Sequence, residues 1–144
     1  MTAYDDQNVF AKILRGEMPA TKVCEDAATL AIMDIMPRAD GHVLVLPKAA
    51  SRNILDIGAD DMAAVMATAQ KIARAQMTAF AADGITVQHF CEGAGGQVVF
   101  HTHVHVLPRH EGVALRPPGQ MGDGAAIEAH AEKIRAALGQ GGER

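Results

Sequence analysis

Val98-Val-Phe-His101-Thr-His103-Val-His105-Val-Leu-Pro108 is the stretch that decides the fold. In a strand, residues two apart share a face at about 6.6–6.8 Å spacing, so Val99, His101, His103, His105 and Leu107 point one way. Val98, Phe100, Thr102, Val104 and Val106 point the other way and make a good core face, which reads as a strand. Three imidazoles are thereby expected together on the opposite face. A single strand histidine is ordinarily a hydrogen-bonded polar residue, but packing alone does not ask for three in alternation. Adjacent rings repel when protonated, so the row is expected to hold mostly neutral rings with tautomers set by neighbours. Such a row suits a metal site, because neutral imidazole is a common ligand, or nucleophilic and acid/base catalysis. A catalytic metal usually wants a third ligand, often a carboxylate, and none is evident on this face. For chemistry at phosphorus, an imidazole nitrogen is a good nucleophile near neutral pH and a neighbouring donor assists the leaving group.

Immediately upstream, the glycine-rich Glu92-Gly-Ala-Gly-Gly96 joins this strand to the one before it, Ile85 to Phe90. Backbone N–H groups near Gly95, Gly96 and Gln97 are expected to cradle phosphate oxygens just ahead of the row. Further out, Asn8 caps a short amphipathic helix carrying Val9, Phe10, Ile13 and Leu14, with Gly16 as its stop. Lys22 to Glu25 and Ala28 to Ile35 read as a hairpin, and His42-Val-Leu-Val-Leu-Pro47 as a buried strand in mid-sheet. Asp60 to Ala82 repeats apolar residues every three or four positions (Met62, Val65, Met66, Ala69, Ile72, Ala73, Phe80), a long helix ended by Asp83-Gly84. A weaker helix spans Ala125 to Leu138. Five strands joined mostly by short turns, with one long helix between the third and fourth, give an α+β class with an antiparallel sheet.

The chain has 144 residues, 49% of them hydrophobic, which fits one domain with a frayed Gly/Glu/Arg tail after Leu138. Thirteen Lys and Arg against 17 Asp and Glu give a net charge of -4, so no basic footprint exists for nucleic-acid backbones. A single nucleotide is not excluded, since oriented backbone N–H groups can meet its few charges. No basic and apolar leader begins the sequence and no apolar run is long enough to span a bilayer, so a cytosolic protein without membrane contact is expected. Cys24 and Cys91 are expected as reduced thiols. His89, His110 and His130 read as surface residues, and the segment past Pro108, with Arg109, Arg116 and Met121, reads equally as a flank of the site or as a solvated stretch.

With these residues in place, the chain resembles the histidine triad (HIT) family, whose His-φ-His-φ-His-φ-φ motif (φ apolar) is matched by His101-Thr-His-Val-His-Val-Leu107, Thr102 being a mild departure. Val9-Phe-Ala-Lys-Ile-Leu-Arg-Gly-Glu-Met-Pro-Ala20, Leu30-Ala-Ile-Met-Asp-Ile-Met-Pro37 and Gly41-His-Val-Leu-Val-Leu-Pro-Lys48 resemble successive blocks of its Hint-type branch. The likeness covers about residues 8 to 110. It implies a five-stranded antiparallel sheet with a long helix, paired across a two-fold axis into a ten-stranded homodimer. It also implies a purine nucleotide substrate and no cofactor. His103 would attack the α-phosphorus to form a nucleotidyl-histidine that water hydrolyses. His105 would contact phosphate and leaving group, and His101 and His42 would orient the row. Phe10, Ile13 and Met18 would line the base pocket, with Ile32, Met33 and Ile35 adding apolar contact. Asp34 would accept from the ribose hydroxyls, and Cys91, Gly96, Gln97 and Val98 would border ribose and phosphate.

Cys91 stands where the family often has Asn, and Val98 where Ser or Thr is common. Both remove hydrogen-bond capacity, so slower turnover or an altered leaving-group preference is expected. The structural zinc of some bacterial members is expected to be absent, because its ligand positions read Asn8-Val-Phe-Ala11 and Pro47-Lys-Ala-Ala50. The expectation is therefore a metal-independent hydrolase or transferase acting on purine nucleoside phosphoramidates, with dinucleoside polyphosphates second. The competing readings are a nucleotide-binding regulatory dimer with little turnover and a metalloprotein using the histidine row.

Overall fold

The computed structural model describes residues 3–141; the end of the frayed tail read from the sequence, residues 142–144, lies outside the described residues. The elements run α1 (Val9–Leu14), β1 (Lys22–Glu25), β2 (Thr29–Met33), β3 (Val43–Pro47), α2 (Ala59–Ala79), β4 (Gly84–Gln88), β5 (Val104–Arg109) and α3 (Gly124–Gly141). The strands form one sheet in the order β1-β2-β3-β5-β4, every neighbouring pair antiparallel. β3 is central, as its unbroken apolar content predicts, with all five residues buried.

Strand alternation divides the sheet into two apolar layers. Ala31, Met33, Val43, Val45, Val104 and Val106 face α2 and α3, meeting Val65, Ala69, Ile72, Ile127 and Ile134. Leu30, Ile32, Leu44 and Leu46 face the other way, where α1 covers them with Phe10 and Ile13. The buried stripe of α2 is Val65, Thr68, Ala69, Ile72, Ala75 and Gln76, so two polar residues replace the expected Met66, which is exposed. Thr68 Oγ1 lies 2.7 Å from Thr29 Oγ1, and the Gln76 amide nitrogen donates to the carbonyls of Gly41 and Val106, while Gln76 Oε1 has no partner among the described residues. Buried polar side chains are ordinarily partnered in this way, Oε1 being the exception. On the outer side of β1, Arg135 of α3 donates through Nε and Nη2 to the Lys22 carbonyl at 3.0 and 2.7 Å.

The strand expected over Val98 to Leu107 is shorter. The ladder begins at Val104, and residues 98–103 run ahead of it as an irregular segment. Val98, expected in the core, is 84% exposed, and Phe100 lies beneath the Arg52 guanidinium, 4.1 Å from its centroid. What replaces the ladder is Ser51: its carbonyl accepts from Thr102 N–H at 2.9 Å, and its hydroxyl lies 2.7 Å from Thr102 Oγ1. The hydroxyl at an apolar motif position is thus paired, which accounts for Thr102 being fully buried.

Gly41 turns the chain into His42 and β3. Its φ of +85° is left-handed, and an added Cβ would sit 2.3 Å from the Phe80 ring. Gly16 has a similar φ of +79° but open space around it. Gly41→Ala is expected to destabilise the protein by about 3 kcal/mol, backbone strain and overlap adding, and Gly16→Ala by about 1 kcal/mol from strain alone. Urea unfolding midpoints compare the two, and equal shifts would refute the steric account.

Candidate active site

The histidines gather on the α1 face of the sheet. β3 and β5 pair with Leu44 opposite His105, so His105 shares the face of Leu44, and His42, one residue ahead of β3, falls beside it. His42 Nε2 and His105 Nδ1 are 2.9 Å apart, and the rings of His103 and His105 lie 5.1 Å apart at 57°. Only His105 sits within the ladder. His101 and His103 come from the irregular segment, and the His101 ring turns away from the other two, toward Tyr4 and the Pro47 carbonyl.

Fixed backbone groups determine every tautomer. Arg38 N–H donates to His42 Nδ1 at 3.1 Å, so the proton of neutral His42 is on Nε2. That proton goes to His105 Nδ1, with Asp34 Oδ2 at 3.4 Å as a second acceptor, and His105 therefore carries its own proton on Nε2. The His101 carbonyl can only accept, so His103 donates to it from Nδ1 at 2.6 Å and keeps a free lone pair on Nε2. By the same logic His101 donates from Nε2 to Pro47 at 2.8 Å and accepts from the Tyr4 hydroxyl on Nδ1 at 2.6 Å. A lone pair on His103 and an N–H on His105 thus stand side by side.

Burial keeps these rings neutral. It pushes His42 and His103 down to about 4 and His105 to about 3, with Arg38 and Arg116 adding to the effect on His42 and the other histidines adding to that on His105. His101 is lowered by burial as well, opposed by the Pro47 carbonyl that accepts its proton. Burial raises Asp34 above its ordinary range, against the Met36 N–H that donates to its Oδ1. The absence of a carboxylate beside the row, expected from the sequence, is corrected here: Asp34, His42 and His105 bring one donor atom each within 4.8 Å of one another. A metal there would need the His42 Nε2 lone pair, and the Arg38 N–H holds a proton on that nitrogen. Ligation would therefore break a buried backbone hydrogen bond.

The glycine loop does not make the expected cradle. Gly95 and Gln97 donate their N–H groups to the Glu92 carbonyl, and Gly96 donates to that of Gly93. The loop closes on itself because Glu92 adopts φ +64° and is clamped from outside. Arg52 binds its carboxylate at 2.7 and 2.9 Å and Asn53 at 2.7 Å, contacts that hold the Glu92 carboxyl down to about 2. Gln97, a candidate phosphate contact, is buried with its side chain committed: Oε1 accepts from Glu92 N–H and Asn53, and Nε2 donates to the carbonyls of Arg52 and Val99. Gly96 packs against the ring of Phe90, which stands edge-on to His105 at 5.3 Å. Cys91 is half-buried beside this loop and, like Cys24, is a free thiol.

Of the residues proposed for the nucleoside, Phe10, Ile13 and Ile32 cluster on the α1 face, the Phe10 ring 4.8 Å from His103. Asp34 follows at the end of β2, with exposed Ile35 beyond it, while Met18 is exposed after α1. Met33 does not belong to this group. It alternates to the opposite face and packs among Val43, Ala69 and Val106, as period two requires of a neighbour of Ile32. His89 is also corrected from the surface: it is half-buried, donating from Nδ1 to the His103 carbonyl at 3.1 Å and accepting from Ile54 N–H on Nε2. His130 is half-buried edge-on to Phe80, whereas His110 is exposed as expected. Past Pro108, Arg116 ties the chain to the carbonyl of Pro37 and the carboxylate of Asp40, and Arg38 donates back to the Arg116 carbonyl. Tyr4, Arg38, Arg52, Asn53, His89 and Phe90 carried no sequence signal, because their partners lie elsewhere in the chain. Among the described residues, no helix is long and apolar enough to cross a membrane.

The arrangement has counterparts in known proteins. Residues 15–112 match the HIT domain family model. A Hit-like protein involved in cell-cycle regulation from Bartonella henselae superposes with a TM-score of 0.89 at 48% identity, over 94% of this chain and all of that one. A hypothetical histidine triad nucleotide-binding protein of Sulfolobus tokodaii superposes at 0.84 with 29% identity, over 91% of each chain. The adenylylsulfatase HINT3 of Arabidopsis thaliana is 37% identical over 103 residues, 72% of this chain and 52% of HINT3. With the family model matched over residues 15–112, this chain belongs to the HIT family.

Proposed function

We propose that this protein is a nucleotidyl hydrolase or transferase. It cleaves purine nucleoside phosphoramidates or dinucleoside polyphosphates through a covalent intermediate on His103. The carrying observation is the tautomer pattern: His103 Nε2 has an unshared lone pair while Nδ1 is anchored on the His101 carbonyl. A nucleophile needs that lone pair, and the carbonyl stabilises the positive charge that develops as the bond forms. Membership of a family that includes a nucleotide-binding protein and an adenylylsulfatase supports a nucleotide-directed, hydrolase-type activity.

In this reading the His103 Nε2 lone pair forms a bond to the α-phosphorus. The bond from phosphorus to the leaving nitrogen or oxygen breaks with its electron pair on the leaving group. His105 Nε2–H hydrogen-bonds the departing atom, and solvent supplies the proton an amine requires. Water then attacks phosphorus and releases a proton to solvent, the bond from phosphorus to His103 Nε2 breaks with its electron pair returning to nitrogen, and the nucleoside monophosphate leaves. His42 and Asp34 hold the His105 ring. The remaining Asp34 acceptor capacity suits ribose hydroxyls, and Phe10, Ile13 and Ile32 supply an apolar wall for the base. Exposed Val98 offers no side-chain donor to phosphate, which fits a modest rate. A pair of chains is part of the proposal. β4 lies at the sheet edge, and Val87 upon it and Met66 and Met77 on α2 are exposed.

Wild type incubated with an adenosine phosphoramidate in excess chelator is expected to turn over and to yield a nucleotidyl adduct by intact mass. His103→Ala should yield none and lose at least about a thousandfold in rate, the order expected for removal of a covalent nucleophile. Nucleotide binding without adduct or turnover in wild type would replace this proposal with the regulatory-dimer reading.

Because burial lowers the row, kcat/KM should stay level through neutral pH and fall on an acid limb approaching pH 4, the value to which His103 is pushed. The unfolded chain binds these protons at about 6.5, so stability too should decline as pH drops from about 6.5 toward 4. An acid limb centred near 6.5 would refute the neutral row. Light scattering is expected to give twice the chain mass.

A further inference from the structure

The segment ahead of α1 contacts the histidine row at one point. Tyr4 places its hydroxyl 2.6 Å from His101 Nδ1, across 97 residues of sequence, with its ring edge-on to the imidazole at 5.8 Å. Asn8 secures the phenol. Its Oδ1 accepts from Ala11 N–H as the helix cap, while its Nδ2 donates to the Tyr4 oxygen at 3.1 Å and to the Asp5 carbonyl at 2.8 Å. An amide nitrogen can only donate and a carbonyl can only accept, so the polarity of the chain is forced. It runs from Asn8 Nδ2–H to the Tyr4 oxygen, from Tyr4 O–H to His101 Nδ1, and from His101 Nε2–H to the Pro47 carbonyl. A proton on His101 Nδ1 would reverse the middle bond and leave the phenol proton without its partner. Burial and the Pro47 carbonyl act on the His101 ring itself, while burial, the Asn8 hydrogen bond, Arg15, Asp6 and Asp5 act on Tyr4.

We propose that Tyr4 is a positioning residue of the site: its hydroxyl bond to Nδ1, opposite the Pro47 carbonyl on Nε2, holds the His101 ring neutral and in place, and His101 in turn presents the carbonyl that orients His103. The inference rests on the nucleotidyl-transfer reading for its kinetic part. The His101 carbonyl accepts the His103 Nδ1 proton at 2.6 Å, so movement of residue 101 moves the nucleophile directly. A charged His101 ring would also lower the basicity of His103 through its charge, weakening the nucleophile. Residues 4–8 are by this account part of the working site, although none of them is expected to touch the reacting phosphorus.

The test is Tyr4→Phe, which keeps the ring and its packing and removes only the hydroxyl. Single-turnover formation of the His103 adduct is expected to slow about tenfold, the worth of one such hydrogen bond, with KM within about twofold of wild type. Histidine side-chain 15N spectra of the full chain should show His101 titrating about one pH unit higher in the variant. Asn8→Ser keeps a helix cap but removes the amide donor, and should shift both readouts in the same direction by less. A wild-type rate and unchanged His101 titration in Tyr4→Phe would overturn the proposal, as would a rise confined to KM or a loss seen only in Tyr4→Ala. If wild type forms no adduct at all, the nucleotidyl-transfer reading fails separately, and the His101 titration, which needs no substrate, still decides whether Tyr4 holds the ring.

Discussion

The hydrogen bond from the Arg38 backbone to Nδ1 of His42 is the constraint on which the site depends. A backbone N–H cannot reverse its role, so the proton of His42 must face His105, and His105 must face outward with its other nitrogen. A side chain in the place of Arg38 N–H would leave two tautomers available and a mixture of row polarities. The bond is itself set by the turn through Gly41, which brings residues 38 and 42 together where a side chain on residue 41 would strike Phe80. Gln76 of α2 braces the same turn by donating to the Gly41 carbonyl. The helix layer on the far side of the sheet thus sets the protonation pattern on the near side.

The glycine loop serves the site as a wall. A bidentate Arg–carboxylate contact is short, directional and charge-assisted, and here it is joined by Asn53 and by four hydrogen bonds of Gln97. A segment so tied keeps the irregular chain of residues 98–103 against β3 without strand pairing, and so carries His101 and His103 to where an ordinary ladder would otherwise hold them. Under the proposed function, phosphate recognition would fall to imidazoles, because the loop amides are engaged within the loop.

The order and type of the strands and α-helices are legible from local patterning, since α1 and α2 carry apolar stripes at helical spacing while β2 and β3 are short apolar runs bounded by turn residues, buried on both faces. So is the meeting of His42 and His105, once the two strands they begin are taken as neighbours. What the sequence misassigns follows from two physical causes. Strand alternation holds only from Val104 onward, because upstream Ser51 and Gln97 replace the ladder, and alternation also separates Ile32 from Met33, which cannot share a face. Tyr4, Arg52, His89 and Phe90 are not legible for a different reason: each acts on a group outside its own element, from 15 or fewer residues away for Phe90 to 97 for Tyr4, and no periodicity records such a partner. The loop amides misled because glycine content signals conformational freedom, whereas the direction of those amides is decided by Glu92 and its clamp.

The two edges of the sheet are not equivalent. Arg135 occupies the Lys22 carbonyl on β1 and α3 lies alongside, whereas β4 has its outer ladder groups unoccupied by any described strand. Strand addition between copies is therefore directed to one side only. A sheet with a single open edge that meets its own copy is finished after one step, for the joined object has none left to offer. In the proposed pair, Arg135 on the Lys22 carbonyl would obstruct a further strand at the β1 edge, so the assembly would stay finite rather than grow into fibrils.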